Sequence, residues 1–248
     1  MAAAAYLTLG ALSIYWAVGA SAWWSKGLFL YAGLSFLVAA TVYLLGRPAL
    51  FGKRSDGSIR AAAWVPFGPF FVLNWLLLGL QCILDRGPAY QTMAANVLLG
   101  RRISGRRLGT DLSSGLAAVV DSTSEFPESP ALRHVTGYLA LPVLDRMAPD
   151  VKQLGRAAEH IATHARNGPV YVHCASGYGR SATVIAAYLL YTRAAADVMD
   201  AVRWIAQRRP GIGIRRNQIR ALEQFAASLD QGAAAGPSEH VRPPSAGR

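Results

Sequence analysis

Hydrophobic patterning divides the chain near residue 85. Ahead of that point lie three long, nearly uncharged runs, Ala4–Trp24, Gly27–Gly46 and Ala61–Leu84. Each has about the twenty residues needed to cross roughly 30 Å of hydrocarbon as a helix. Trp23, Trp24 and several tyrosines near their ends fit an aromatic belt at a membrane interface. After residue 85 the apolar segments are shorter and separated by turn residues. Asn96–Gly100, Gly115–Asp121, Tyr138–Leu144 and Pro169–Val172 read as strands. Gly115–Asp121 is apolar throughout, as for a strand buried on both faces. Pro142 makes Tyr138–Leu144 an edge strand or one that ends early. Helical spacing appears in Val151–Arg166, Ala182–Leu190, Asp197–Arg209 and Asn217–Leu229, with Asp150 and Asp197 placed as N-caps. Gly87 to Thr92 reads as a linker, and Gln231–Arg248, rich in Gly, Pro, Ala and Ser, as a disordered tail. The expected organisation is a transmembrane region over 1–86, a catalytic domain over 87–230 and a tail over 231–248.

Charge complicates the membrane topology. The net charge is +11: residues 1–84 contribute +4 and residues 85–248 contribute +7. The loop from Arg47 to Arg60 and the segment after Leu84 are both basic, so the positive-inside tendency places both in the cytoplasm. Three full spans would put them on opposite sides. Either the third run does not cross, being re-entrant or interfacial, or the short basic loop lies outside. Pro66 and Pro69 would break a helix, and Asn74 and Gln81 make this run the most polar of the three. The first run lacks a basic n-region, which argues against a cleaved signal peptide. The basic balance fits attraction to anionic headgroups or phosphorylated substrates, with no nucleic-acid partner expected; equally, the dominance of Arg over Lys fits a composition bias. Only Cys82 and Cys174 are present, so no disulfide framework is indicated. Cys82 reads as a small hydrophobe.

The chemistry concentrates in Tyr171-Val-His-Cys-Ala-Ser-Gly-Tyr-Gly-Arg-Ser-Ala-Thr183. Cys174 stands at the end of a strand, and five residues later Arg180 opens a helix. Backbone N–H groups of such a loop, Ala175, Ser176, Gly177, Tyr178 and Gly179, converge on an anion of phosphate size, and the helix dipole adds positive potential. Gly177 and Gly179 would allow the curvature. The same field favours the Cys174 thiolate, and Arg180 offers a planar fork for phosphate oxygens. A thiolate beneath a clamped phosphate is a nucleophile aimed at phosphorus.

His173-Cys174-x5-Arg180-Ser181 resembles the signature loop of the cysteine-dependent dual-specificity and protein tyrosine phosphatases, here in a membrane-anchored, bacterial-type member. Val119-Val-Asp-Ser-Thr123 is similar to a second pattern of that family, with Ser122 where the family has Leu. The resemblance implies an α/β fold with a small, mostly parallel central sheet flanked by helices, preceded here by the transmembrane helices. It implies hydrolysis of phosphomonoesters through a cysteinyl-phosphate, with no cofactor and no metal. Asp145, about thirty residues before the nucleophile, resembles the general acid that protonates the leaving oxygen; Asp150 is the alternative. Ser181 would assist departure of the thiolate, and His173 would orient the loop and lower the thiol pKa. Ser122–Pro130 follows a strand's C-terminal end, where loops line the site of an open α/β sheet, yet Glu125 and Glu128 receive no role. His134, His160, His164 and His240 show no metal-ligand spacing.

Three substrate classes remain open: phosphorylated Tyr, Ser or Thr in proteins, a phospholipid phosphate, and a small soluble phosphate. Ala175, Ser176 and Tyr178 bring no charge into the loop, unlike the lysine-bearing phosphoinositide phosphatases. A membrane-tethered pseudophosphatase that only binds phosphate is the alternative from another class. A working thiol requires a reducing compartment, so the catalytic domain is expected on the cytoplasmic face of an inner or plasma membrane.

Overall fold

A computed structural model of the chain describes residues 2–85, 87–103 and 115–234. The apolar runs form helices α1 (Ala2–Gly19), α2 (Trp23–Leu45) and α3 (Trp64–Leu84), each long and apolar enough to cross a membrane. α1 and α2 pack as an antiparallel pair. A Cβ on Gly33 would stand 2.7 Å from Ile14 Cγ1 and 3.1 Å from the Gly10 carbonyl oxygen. Small residues here let the two helix backbones approach. Between α2 and α3 the chain makes a 3-10 turn over Pro48–Phe51 and an isolated bridge between Lys53 and Ile59. Phe51 is fully buried against Tyr43, Phe67, Phe70 and Phe71, stacking on Phe70 at 4.8 Å between ring centroids. α3 runs through both prolines, contrary to the expected break. Pro66 lies in the first turn, where an N–H has no intrahelical partner to lose, and a 3-10 turn over Ala61–Ala63 leads in.

The remaining chain builds a five-stranded sheet in the order β1-β2-β5-β3-β4. The strands are β1 (Tyr90–Ala94), β2 (Val97–Arg101), β3 (Ala118–Asp121), β4 (Gly137–Ala140) and β5 (Val170–Cys174). β1 pairs antiparallel with β2; every other pairing is parallel. The supposed linker therefore contributes a strand. Its polar residues sit at a sheet edge, where alternate side chains need no core contact. β4 forms the opposite edge and ends at Ala140, two residues before Pro142, so both expectations raised by that proline are met.

Short helix α4 (Pro130–Arg133) precedes β4, and α5 (Val151–His164) links β4 to β5. Asp150 and Gln153 form a reciprocal capping box on α5, and Leu154, Ala157, Ala158 and Ile161 bury one face. The chain ends with α6 (Arg180–Tyr191), α7 (Val198–Arg208, N-capped by Asp197) and α8 (Arg216–Ala234). The last turn of α8 thus occupies residues assigned to the tail; 235–248 lie outside the described residues, as do Arg106 and Arg107 of the basic segment after Leu84. Alternation along the strands sorts the core. Val97, Leu99, Val120, Val170 and Val172 face α5–α8, while Leu98, Val119 and Tyr171 face the other side with Ile103 and Leu132. β5 lies centrally, with β2 on one side and β3 on the other. Chain leaving its C-terminal end enters the crevice where crossovers diverge, the place an open parallel sheet reserves for ligands.

Candidate active site

Cys174 is the last residue of β5 and is 2% exposed. The loop that follows turns back beneath its sulfur. Gly177 N–H donates to Cys174 Sγ at 3.2 Å, and Ser181 Oγ donates to the same sulfur at 3.3 Å. Burial pushes the thiol pKa up; the Arg180 guanidinium, then the Ser181 and Gly177 donors, outweigh it and hold the thiol below its ordinary value. Gly177 has φ +78°, and a Cβ there would stand 2.5 Å from the Gly100 carbonyl carbon. Only glycine fits. Gly179 differs from expectation: its φ is −117° at the α6 N-cap, so the loop's left-handed residue is Gly177.

Arg180 is buried and its fork is already gripped from one edge. Nη2 donates to Glu125 Oε1 at 2.6 Å and Nη1 to Glu125 Oε2 at 2.9 Å, while Nη1 also reaches the Val143 carbonyl at 2.8 Å. This uses the Nη1–Nη2 edge, so an oxyanion arriving at Arg180 could be met in bidentate fashion only at the Nε–Nη2 edge. Burial pushes the Glu125 carboxyl up, but Arg180 overrides that and holds it low. Asp145 approaches the same guanidinium, Oδ1 to Nη2 at 3.4 Å, and its side chain is 50% exposed at the rim. Asp150, the alternative acid, is spent as the α5 cap.

Behind the loop lies a second set of charges. His173 Nε2 stands 2.8 Å from Glu128 Oε2, both side chains wholly buried. Burial opposes protonation of His173, yet Glu128 and then Asp121 raise its pKa above the ordinary value. Asp121, Glu128 and His173 bring their ligand atoms within 4.8 Å of one another, a spacing that could hold a metal ion. Here the Lys53 ammonium supplies positive charge to the cluster. It pairs with Asp121 Oδ2 and donates to Thr123 O and Oγ1, both at 2.8 Å. Arg209, also buried, donates from Nε to the Gly177 carbonyl at 3.0 Å and lies 4.6 Å from the Tyr178 ring centroid.

The structure therefore brings Cys174, Arg180, Ser181, His173 and Asp145 together around one loop. Residue-by-residue reading did not assign Glu125, Glu128, Lys53 or Arg209. The available signal was indirect: a buried Arg or His demands a carboxylate, and Ser122–Pro130 follows β3 at the correct sheet end.

Above Cys174 opens a cavity of about 540 Å³. Loop residues Ala175, Ser176, Tyr178 and Gly179, with Arg180, Asp145 and Arg215, line its polar end. Tyr6 and Leu9 of α1 and Leu73, Asn74, Leu77, Leu78 and Gln81 of α3 also line it, together with Phe126, Arg146, Gly213 and Gln218 of the catalytic fold.

A buried sulfur of lowered pKa ending a central parallel strand, with an arginine opening the next helix, is the arrangement of the cysteine-dependent phosphatases. The family description "Dual specificity phosphatase, catalytic domain" matches residues 112–228. The rat protein named phosphatidylglycerophosphatase and protein-tyrosine phosphatase 1 is 31% identical over 183 residues, covering 66% of this chain and 93% of its own. The chain belongs to this dual-specificity phosphatase family. Among solved structures, Tk-PTP in its active form superposes with a TM-score of 0.51 at 29% identity, over 56% of this chain and 97% of its own. PTPMT1 in complex with PI(5)P superposes at 0.51 and 26% identity, over 59% and 99%.

Proposed function

We propose that this phosphatase is anchored in a membrane and hydrolyses the terminal phosphate of a phospholipid. The observation that carries this reading is the composition of the cavity. A phosphate at Cys174 would leave its ester substituent pointing along walls supplied by the apolar helices α1 and α3. A phosphotyrosyl peptide would have to displace or share that space. The rat relative's name includes a phospholipid phosphatase activity, and PTPMT1 has been solved with a phosphoinositide; both bear on this chain by similarity. The division into a membrane module over 1–86 and a catalytic domain from 87 onward is part of the same reading, as is a cytoplasmic catalytic face, which a free thiol requires.

The chemistry runs in two steps. The Cys174 thiolate attacks phosphorus, an S–P bond forms, and the P–O bond to the lipid breaks as Asp145 delivers a proton to the leaving oxygen. Water then attacks phosphorus, giving its proton to Asp145. The S–P bond breaks, Ser181 donates to the departing thiolate, and inorganic phosphate leaves. Arg180, held from behind by Glu125, stabilises the equatorial oxygens throughout. The test uses detergent-solubilised full-length protein with phosphatidylglycerol phosphate in mixed micelles and a phosphotyrosyl peptide. We expect faster turnover of the lipid, abolished in Cys174→Ser. Faster turnover of the peptide would overturn the lipid assignment, and phosphate release that survives Cys174→Ser would overturn the mechanism.

A further inference from the structure

We propose that α3 does not cross the membrane. It lies along the catalytic domain in the plane of the interface, with its outer face in lipid and its inner face walling the cavity. This rests on the membrane anchoring proposed above and not on which phosphate ester is cleaved.

Both ends of α3 are fastened to the catalytic fold. Ahead of it, Lys53 is buried against Asp121 and Thr123, and the Gly57 carbonyl accepts from Glu128 N–H at 2.8 Å. Behind it, Asp85 accepts from Tyr178 Oη at 2.8 Å and pairs with Arg101 at 3.6 Å. Between them, the Trp75 ring meets Phe126 edge-on at 5.1 Å, with the Arg102 guanidinium 4.6 Å from its centroid. A 21-residue helix is about 31 Å long. A spanning helix of that length delivers its ends to opposite faces of roughly 30 Å of hydrocarbon. One folded domain cannot hold both.

The side chains of α3 are distributed accordingly. Val65, Val72, Leu76, Leu80 and Ile83 are all exposed. Their spacing of seven, four, four and three residues draws one stripe along the whole helix. Phe67, Phe70, Phe71 and Leu78 are buried on the opposite side, and Asn74 and Gln81 lie on that side too, at the cavity. The polar pair that made this segment the least suited to lipid thus faces the site. α1 and α2 likewise expose apolar side chains, among them Leu12, Trp16, Leu28 and Leu34. An aliphatic stripe on a helix that follows two helices long and apolar enough to cross a membrane is assigned to the bilayer rather than to a protein partner. The placement also resolves the charge conflict, since the basic stretches on either side of α3 then share one face.

The experiment is vectorial cysteine labelling of the full chain in sealed vesicles. In a Cys82→Ser/Cys174→Ser background, single cysteines are placed at two exposed sites: Ser55→Cys in the loop before α3 and Ser228→Cys in α8. A membrane-impermeant maleimide is expected to label both from the same face, with both switching together when the vesicles are inverted. Labelling of Ser55→Cys from the face opposite Ser228→Cys overturns the proposal. So does labelling of Ser55→Cys from neither face until detergent is added.

Discussion

On the cavity side of the catalytic loop, Asp145 is half exposed and touches Arg180 at 3.4 Å. On the far side, the side chains of Lys53, Asp121, Glu128 and His173 are wholly buried. The first side can exchange partners as substrate arrives, since a rim carboxylate costs little to rehydrate. The second cannot, since every charge there is neutralised only by its neighbours. Reactivity and rigidity are thus allotted to opposite surfaces of one seven-residue loop. The two should respond differently to mutation: losses on the front appear in turnover, losses on the back in stability.

The largest effect is expected at the front. Asp145→Asn should lower kcat by about 10²–10⁴ for an alkyl phosphate, whose leaving oxygen needs a proton. An activated aryl phosphate, whose phenolate leaves unaided, should lose far less, and Tm should hardly move. Equal losses on both substrates would remove Asp145 from the acid role. At the back, Lys53→Met strips a buried carboxylate of its counter-charge. The expected cost is about 3–5 kcal/mol, a fall in Tm on the order of 10 °C for a chain of this size. Lys53→Met/Asp121→Asn should recover much of it. An unchanged Tm in the single variant would break the contrast between the two surfaces.

The smallest effect is a change in pH dependence. The folded pKa of His173 is raised, so its contribution to stability is fully present below its unfolded value near 6.5 and is lost as pH rises through the folded value. Asp121 and Glu125, whose pKa values are depressed, act in the opposite sense. Their contributions are present above the ordinary carboxylate range and fall away only in acid. Thermal unfolding followed from pH 6 to 9 should therefore show a decline that Glu128→Gln flattens. A decline of equal slope in Glu128→Gln would show that the His173–Glu128 pair is not its source.

How much of this was legible depended on distance along the chain. Cys174, Ser181 and Arg180 lie within one short stretch, and strand, loop and helix propensities there agree with the chemistry. The partners of that stretch are remote. Glu125 is 55 residues from Arg180, and Lys53 is 68 from Asp121. A lone Lys in a basic loop, or a Glu in a turn-rich segment, has the pattern of a solvated charge until the fold folds over it. β1 was hidden for a related reason: an edge strand needs no apolar run. The prolines of α3 misled in the other direction, because a helix that packs along its whole length tolerates local defects that an isolated one would not.

The reach of Lys53 bears on how the enzyme can be handled. Trimming away the first 86 residues to obtain a water-soluble fragment would extract an ammonium from the interior of the hydrolase and strip one wall from its cavity. The two halves are not severable in the manner of a blade and its handle.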